Sequence, residues 1–221
     1  MRDNLRRRHY LVRIILLNEI RLEAQTYMKY ILKEIVSTLL LFAVMFLVIM
    51  GVYKYIAEPF IVDGASMETT LKSGERLWML KLNEIDRFDV VIFPAPDNEE
   101  KLYVKRVIGV GGDTIAYEND QLLINGEAVT EPYLAEKAAE FDNEFTYDFS
   151  LEEITGETTV PEGSLFVMGD NRRNSLDGRR FGFIDADDVL GEADFIYWPL
   201  SEFGLLDKYE LSADGSEIVL R

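Results

Sequence analysis

Cysteine is absent from the chain, and with it disulfides, thiol nucleophiles and thiolate metal ligands. Histidine is nearly absent: the single His9 stands before a long apolar run, and none follows it. A zinc hydrolase built after that run would have neither His nor Cys to hold its metal. Basic residues are scarce too, with 23 Lys and Arg against 40 Asp and Glu and a net charge of −17. The imbalance is local. Up to Tyr53 there are eight basic and four acidic residues, and beyond it fifteen and thirty-six, so the parts carry +4 and −21. A region this acidic cannot hold a polyanion by counterion release, which excludes nucleic acid as a partner. Rossmann and P-loop glycine patterns are missing, and no internal repeat is visible.

Residues 1–34 are basic through Arg2, Arg6, Arg7, Arg8 and Arg13, and their apolar stretch Leu11–Leu17 is too short to span a bilayer. Leu17, Ile20, Ala24, Tyr27 and Ile31 recur at helical spacing, which predicts an amphipathic helix on the inner membrane surface. The alternative is an upstream extension without function, since Met28-Lys29-Tyr30 could itself serve as a start. Ile35 to Tyr53 is nineteen residues without a charge. At about 1.5 Å per residue this helix is roughly 29 Å long, against about 30 Å of hydrocarbon. A cleavable export signal is the competing reading. Its apolar core is usually shorter, and no small-x-small site with a plausible mature start stands at the end of this one. The pattern predicts a transmembrane helix over 35–55, and the Lys and Arg before it predict a cytoplasmic N-terminus. The expected product is a single-pass cell-membrane protein with residues 56–221 extracellular.

After Ile56 the pattern turns to short β-like runs: Phe60–Val62, Arg76–Leu80, Asp89–Phe93, Leu102–Val110, Asp113–Tyr117, Ser164–Met168 and Asp194–Trp198. Asn125-Gly126 between the apolar arms of Gln121–Val129 is the strongest short hairpin signal. Residues 138–160 read as an acidic surface excursion. The expected fold is mostly β, an antiparallel-sheet domain behind one membrane helix. The carboxylate-rich stretches Asp97–Glu100 and Asp185–Asp188 lack the glycine turn and terminal Glu of a calcium loop and read as solvated surface.

Gly64-Ala65-Ser66-Met67 places a small-flanked serine at a strand end, with its hydroxyl free to face a cleft. A serine nucleophile needs a base, and His9 lies on the other side of the proposed anchor. Lysine remains. Its ordinary pKa of about 10.4 makes it useless as a base, but burial can lower that by several units. Lys105 sits among Leu102, Tyr103, Val104, Val107 and Ile108, and in an alternating strand shares a face with Tyr103 and Val107. The competing reading of Lys105 is a solvated lysine on an exposed strand face. Gly169-Asp170-Asn171-Arg172, followed by Ser175, Asp177 and Arg179, adds a dense polar loop.

In order along the chain, Ser66-Met67 with Thr70-Leu71, Asp89–Phe93, Lys105–Gly109 with Gly112-Asp113, and Gly169–Arg179 resemble the type I signal peptidases, peptidase S26, membrane-bound Ser/Lys endopeptidases. The similarity runs from the anchor to about Trp198. It implies the signal peptidase and self-cleaving repressor type of β fold. It also implies that Ser66 is the nucleophile and Lys105 the general base, and that Ser175 hydrogen-bonds the lysine amine. Asp170 would pair with Arg106 and Asp177 with Arg179, and the Ser66 N–H would donate to the oxyanion. Some members carry a second, serine donor two positions before the nucleophile. Gly64 stands there, as in the Gram-positive branch. Thr69, Gly111 and Gly178 depart from the family pattern. The resemblance further implies no cofactor and no metal. It makes the partners the signal peptides of secretory precursors with small residues before the cut, the lipid of the cell membrane, and a nearby secretion translocon. Two other classes stay open: a catalytically silent signal-peptide binder, which an intact Ser66, Lys105 and Ser175 oppose, and a self-cleaving Ser/Lys protein, which the membrane anchor opposes.

Overall fold

One helix, α1 (Arg2–Tyr55), carries both the basic segment and the apolar run, with no break between Glu34 and Ile35. The computed structural model describes residues 2–82, 84–213 and 215–221, with side chains described from Leu16 onward except Glu99. Leu16–Tyr55 is long and apolar enough to cross a membrane. Its apolar side chains, Leu39, Leu40, Phe42 and Leu47 among them, are exposed, as a helix solvated by lipid requires. Met1–Val52 and Tyr53–Arg221 form separate compact units.

The second unit is antiparallel β throughout its described ladders. Its first strands are β1 (Ala57–Ile61), β2 (Arg76–Leu80), β3 (Val90–Ala95) and β4 (Asn98–Val110). A smaller group follows: β5 (Ile115–Glu118), β6 (Gln121–Ile124), β7 (Glu127–Val129) and β8 (Phe149–Ser150). Then come β9 (Ser164–Met168), β10 (Ile184–Asp185), β11 (Gly191–Trp198), β12 (Gly204–Leu205), β13 (Tyr209–Leu211) and β14 (Ile218–Leu220). The larger sheet runs β1-β2-β11-β3-β4-β9-β10 with β12 beside β11, the smaller β7-β6-β5-β8, and β13 pairs with β14. Short helices α2 (Ala135–Ala138), α3 (Leu151–Thr155) and α4 (Gly178–Phe181) fill connections.

The sheets have clear sequence causes. β3 reads Val-Val-Ile-Phe and is buried on both faces. Phe88, Ile108, Tyr117, Leu122, Phe145, Phe149 and Phe166 form one core that joins the two sheets. Val62, Met67, Leu71, Leu77, Ile92 and Ala193 form a second core beneath the Ser66 segment. Residues 138–160 are acidic, yet Phe145, Phe149, Leu151 and Val160 are buried in the first core. Val62 lies outside β1 but is buried, and Asp113, read as the start of a strand, is instead a buried carboxylate held by Arg87.

The Asn125-Gly126 hairpin forms between β6 and β7, with Ile124 opposite Glu127. Both turn residues have positive φ, 54° and 85°, the type I′ geometry that suits the twist of the strands. Asn125 tolerates it, and its Oδ1 accepts from the Thr114 N–H. Gly126→Val should therefore lower stability by about 1–2 kcal/mol through left-handed strain alone. Chemical denaturation of the variant against the parent checks this, and an unchanged midpoint would rule out the strain.

Candidate active site

The Ser66 segment is held from below. Met67 and Leu71, both buried, root it in the second core, and the Leu71 N–H donates to the Met67 carbonyl at 2.8 Å. That leaves Ser66 facing a cleft of about 630 Å³, lined by Pro59–Ile61 of β1, Lys101–Lys105 of β4, Asp63–Ser66, Asn174 and Leu176. Among the described residues, β1 pairs with β2 alone, and β4 meets β9 only from Arg106 onward. Both strands therefore present an unpaired edge along this stretch.

Lys105 is 3 % exposed. Its Nζ donates to Ser66 Oγ at 2.8 Å and to the Val104 carbonyl at 2.9 Å, and lies 5.0 Å from the Tyr103 ring centre. Burial pulls its pKa from 10.5 down to about 8, against the raising influence of Asp177 and Asp170. A solvated lysine on an exposed strand face is thereby excluded.

Arg106, next in the strand, is wholly buried. Its Nε and Nη2 donate to the two oxygens of Asp170 at 3.0 and 2.7 Å, and Nη1 donates to the Phe88 carbonyl at 2.7 Å. The Thr70 hydroxyl donates to the same carboxylate at 2.5 Å. The guanidinium lies 4.0 Å from the Tyr133 ring. Asp177 accepts from Arg179 Nε at 2.9 Å, from its Nη2 at 2.8 Å and from the Gly169 N–H at 3.0 Å. Burial opposes the Asp177 charge, but these donors hold its pKa below the usual carboxylate range.

Ser175 Oγ is buried and has no hydrogen-bond partner among the described residues. The expected bond to the Lys105 amine is not formed. The hydroxyl lies near Asp177 without completing a bond to it. It packs against Gly169, where an added Cβ would collide with Ser175 Oγ and sit 2.5 Å from the Ser66 carbonyl oxygen. Only glycine lets the polar loop approach Ser66 so closely. Gly64 has φ +98° and its N–H donates to Ser73 Oγ at 3.2 Å. Ser66 N–H makes no hydrogen bond among the described residues.

Sequence reading gave no role to Asn171, Arg172 or Glu131. Asn171 N–H donates to the Ser66 carbonyl at 3.0 Å and its Nδ2 to the Ala65 carbonyl at 3.0 Å. Arg172 is buried against Glu131, with Nη2 to Oε1 at 2.5 Å. The loop motif contains two of these residues. Glu131 has no local signal beyond one carboxylate between Val129 and Pro132.

A family model described as signal peptidase, peptidase S26, matches residues 32–198. The chain is 47% identical over 154 residues to a signal peptidase I of Bacillus caldolyticus, covering 67% of this chain and 84% of the relative. It is 38% identical over 180 residues to a signal peptidase IB of Staphylococcus aureus strain COL, covering 77% and 93%. Among solved structures, a signal peptidase I from Enterococcus faecalis V583 is 43% identical, covering 50% of this chain and 97% of that one, with a TM-score of 0.48. The chain belongs to the signal peptidase family, peptidase S26.

The depressed Lys105 pKa has a stability consequence. A fall from 10.5 to about 8 corresponds to about 3 kcal/mol. Between those values the unfolded chain binds more protons than the folded one, so stability rises with pH across that window. Below about 8 both states are protonated and the full penalty remains. Lys105→Met keeps the stem and removes the desolvated charge. It should be at least as stable as the parent at pH 7, with the advantage shrinking towards pH 10. Thermal melts at the two pH values decide this, and a Met variant clearly less stable at pH 7 would refute it.

Proposed function

We propose that this chain is a membrane-anchored serine endopeptidase that removes N-terminal signal peptides from exported precursors, with Ser66 as nucleophile and Lys105 as general base. The observation that carries the reading is the 2.8 Å contact between Lys105 Nζ and Ser66 Oγ, made by an amine stripped of solvent. Family membership and the names of the relatives support the substrate class.

The chemistry follows from the geometry. Above about pH 8 the amine is neutral, the contact reverses polarity, and Ser66 O–H donates to Nζ. As Ser66 Oγ attacks the scissile carbonyl, Lys105 takes its proton. The developing oxyanion faces the unengaged Ser66 N–H, a fixed donor that gains strength as charge builds. Gly64 supplies no second side-chain donor. Collapse of the intermediate passes the Lys105 proton to the leaving amine, and a water activated by the same amine hydrolyses the acyl-enzyme. Asp170 and Asp177, held by Arg106 and Arg179, fix the loop beneath Ser66. An extended peptide would add to the unpaired edges of β1 and β4, with small side chains on either side of Ala65. Residues 35–55 would span the membrane with the N-terminus cytoplasmic and residues 56–221 extracellular. Ser66 follows Tyr53 by thirteen residues, a short tether that suits a substrate whose own apolar segment is still in the lipid beside the translocon.

Purified full chain in detergent, given a precursor with Ala-x-Ala before the cut, tests this. Ser66→Ala and Lys105→Ala should each abolish cleavage, and the parental rate should rise with pH through about 8. Activity retained by either variant ends the Ser/Lys reading. For topology, protease outside intact cells should digest the region after Tyr53, and full protection would reverse the orientation.

A further inference from the structure

We propose that Glu131 is a positioning residue for the Ser66–Lys105 pair, acting through the two buried arginines, Arg172 and Arg106. The inference rests on the Ser/Lys reading above. Glu131 follows β7, and its side chain is 6 % exposed while that of Arg172 is 0 %. Oε1 accepts from Arg172 Nη2 at 2.5 Å and from the Tyr133 hydroxyl at 2.7 Å. Oε2 accepts from Arg172 Nη1 at 3.0 Å and from the Tyr117 hydroxyl, which also meets that guanidinium.

One carboxylate thus reaches the site by two routes. Through Arg172 it reaches the loop under Ser66: Arg172 Nε donates to the Gly169 carbonyl at 3.1 Å, and its N–H donates to the Asp170 carbonyl at 3.0 Å. The Arg172 carbonyl accepts from Arg179 Nη2 at 2.8 Å. Asn171, between these anchored residues, is the one that holds the Ser66 and Ala65 carbonyls. Through Tyr133, whose ring faces the Arg106 guanidinium at 4.0 Å, it reaches the neighbour of Lys105.

Removing the carboxylate would leave Arg172 a buried cation with no carboxylate of its own, since Asp170 and Asp177 are committed to Arg106 and Arg179. The guanidinium would then turn toward water and release the Gly169 carbonyl. A shift on the order of 1 Å in a reacting group can cost about a hundredfold in rate. Glu131 is not among the residues lining the Ser66 cleft, so substrate affinity should hardly change.

The experiment uses the full chain in detergent and the precursor described above. In E131Q kcat should fall about 10- to 100-fold with KM within about twofold. Tyr117→Phe removes one hydroxyl from the network and should lower kcat about threefold, again with KM unchanged. Ile154→Val, packed against the same core without a polar contact to the network, should lower Tm and leave kcat alone. A folded E131Q with parental kcat, or one whose loss lies in KM, overturns the proposal. So does an Ile154→Val variant that loses kcat in proportion to Tm. If E131Q does not fold, Tyr117→Phe decides, and an unchanged kcat is fatal. Cleavage by Ser66→Ala would instead overturn the underlying reading, and this inference with it.

Discussion

Lys105 and Arg106 are adjacent cations on β4, both removed from water, with opposite electrostatic surroundings. Arg106 is surrounded by acceptors: a bidentate carboxylate, the Phe88 carbonyl and an aromatic face. Among the described residues Lys105 has a hydroxyl, one carbonyl and the Tyr103 ring, 5.0 Å to its centre, for company. Desolvation without a carboxylate in contact is what depresses its pKa. The nearby carboxylates Asp170 and Asp177 relieve that desolvation only in part. Each of those carboxylates is turned towards its own arginine, so their charge reaches Lys105 only across space.

The same logic explains why so acidic a chain builds its site with buried arginines. Three Arg–carboxylate pairs, Arg106–Asp170, Arg172–Glu131 and Arg179–Asp177, enclose one short loop. Buried pairs of this kind add little net stability compared with apolar packing, because desolvation cancels most of the attraction. What they supply is geometric definition: planar forks with fixed acceptors hold a loop whose backbone must lie against Ser66. The apolar cores supply the stability, and they come from alternating strand positions such as Leu77, Met79, Val90 and Ile92.

Much of this was legible in the chain. The long apolar helix is readable because nineteen uncharged residues leave few alternatives, and the strands because Val-Val-Ile-Phe and Asn-Gly are strong local signals. Ser66, Lys105 and the arginine partners were legible through ordered motifs. Burial was not. Lys105 in an apolar strand fits an exposed face as well as a buried one, and only the cleft between β1 and β4 decides. Glu131 was illegible for a different reason: its partner Arg172 lies 41 positions away in the loop after β9, and long-range ion pairs leave no periodicity. The Ser175–Lys105 bond was expected from resemblance, and the hydroxyl instead packs against Gly169 without a hydrogen-bond partner among the described residues.

The order Lys-Arg is itself a constraint. A strand has period two, so Tyr103 and Lys105 share one face while Val104 and Arg106 share the other. Register fixes which face meets which neighbour: Lys105 stands opposite Val91, and Arg106 lies between Val90 and Met168. A slip of one residue would exchange the two cations. Arginine cannot be deprotonated in a protein, so Arg106 at the cleft could never act as a base. Lysine in the place of Arg106 would offer a point charge where Asp170, Phe88 and Thr70 need a planar fork. The register pinned by Val107 opposite Val167, in the apolar layer that also holds Val91 and Leu165, is therefore a condition for the proposed chemistry as much as for the fold.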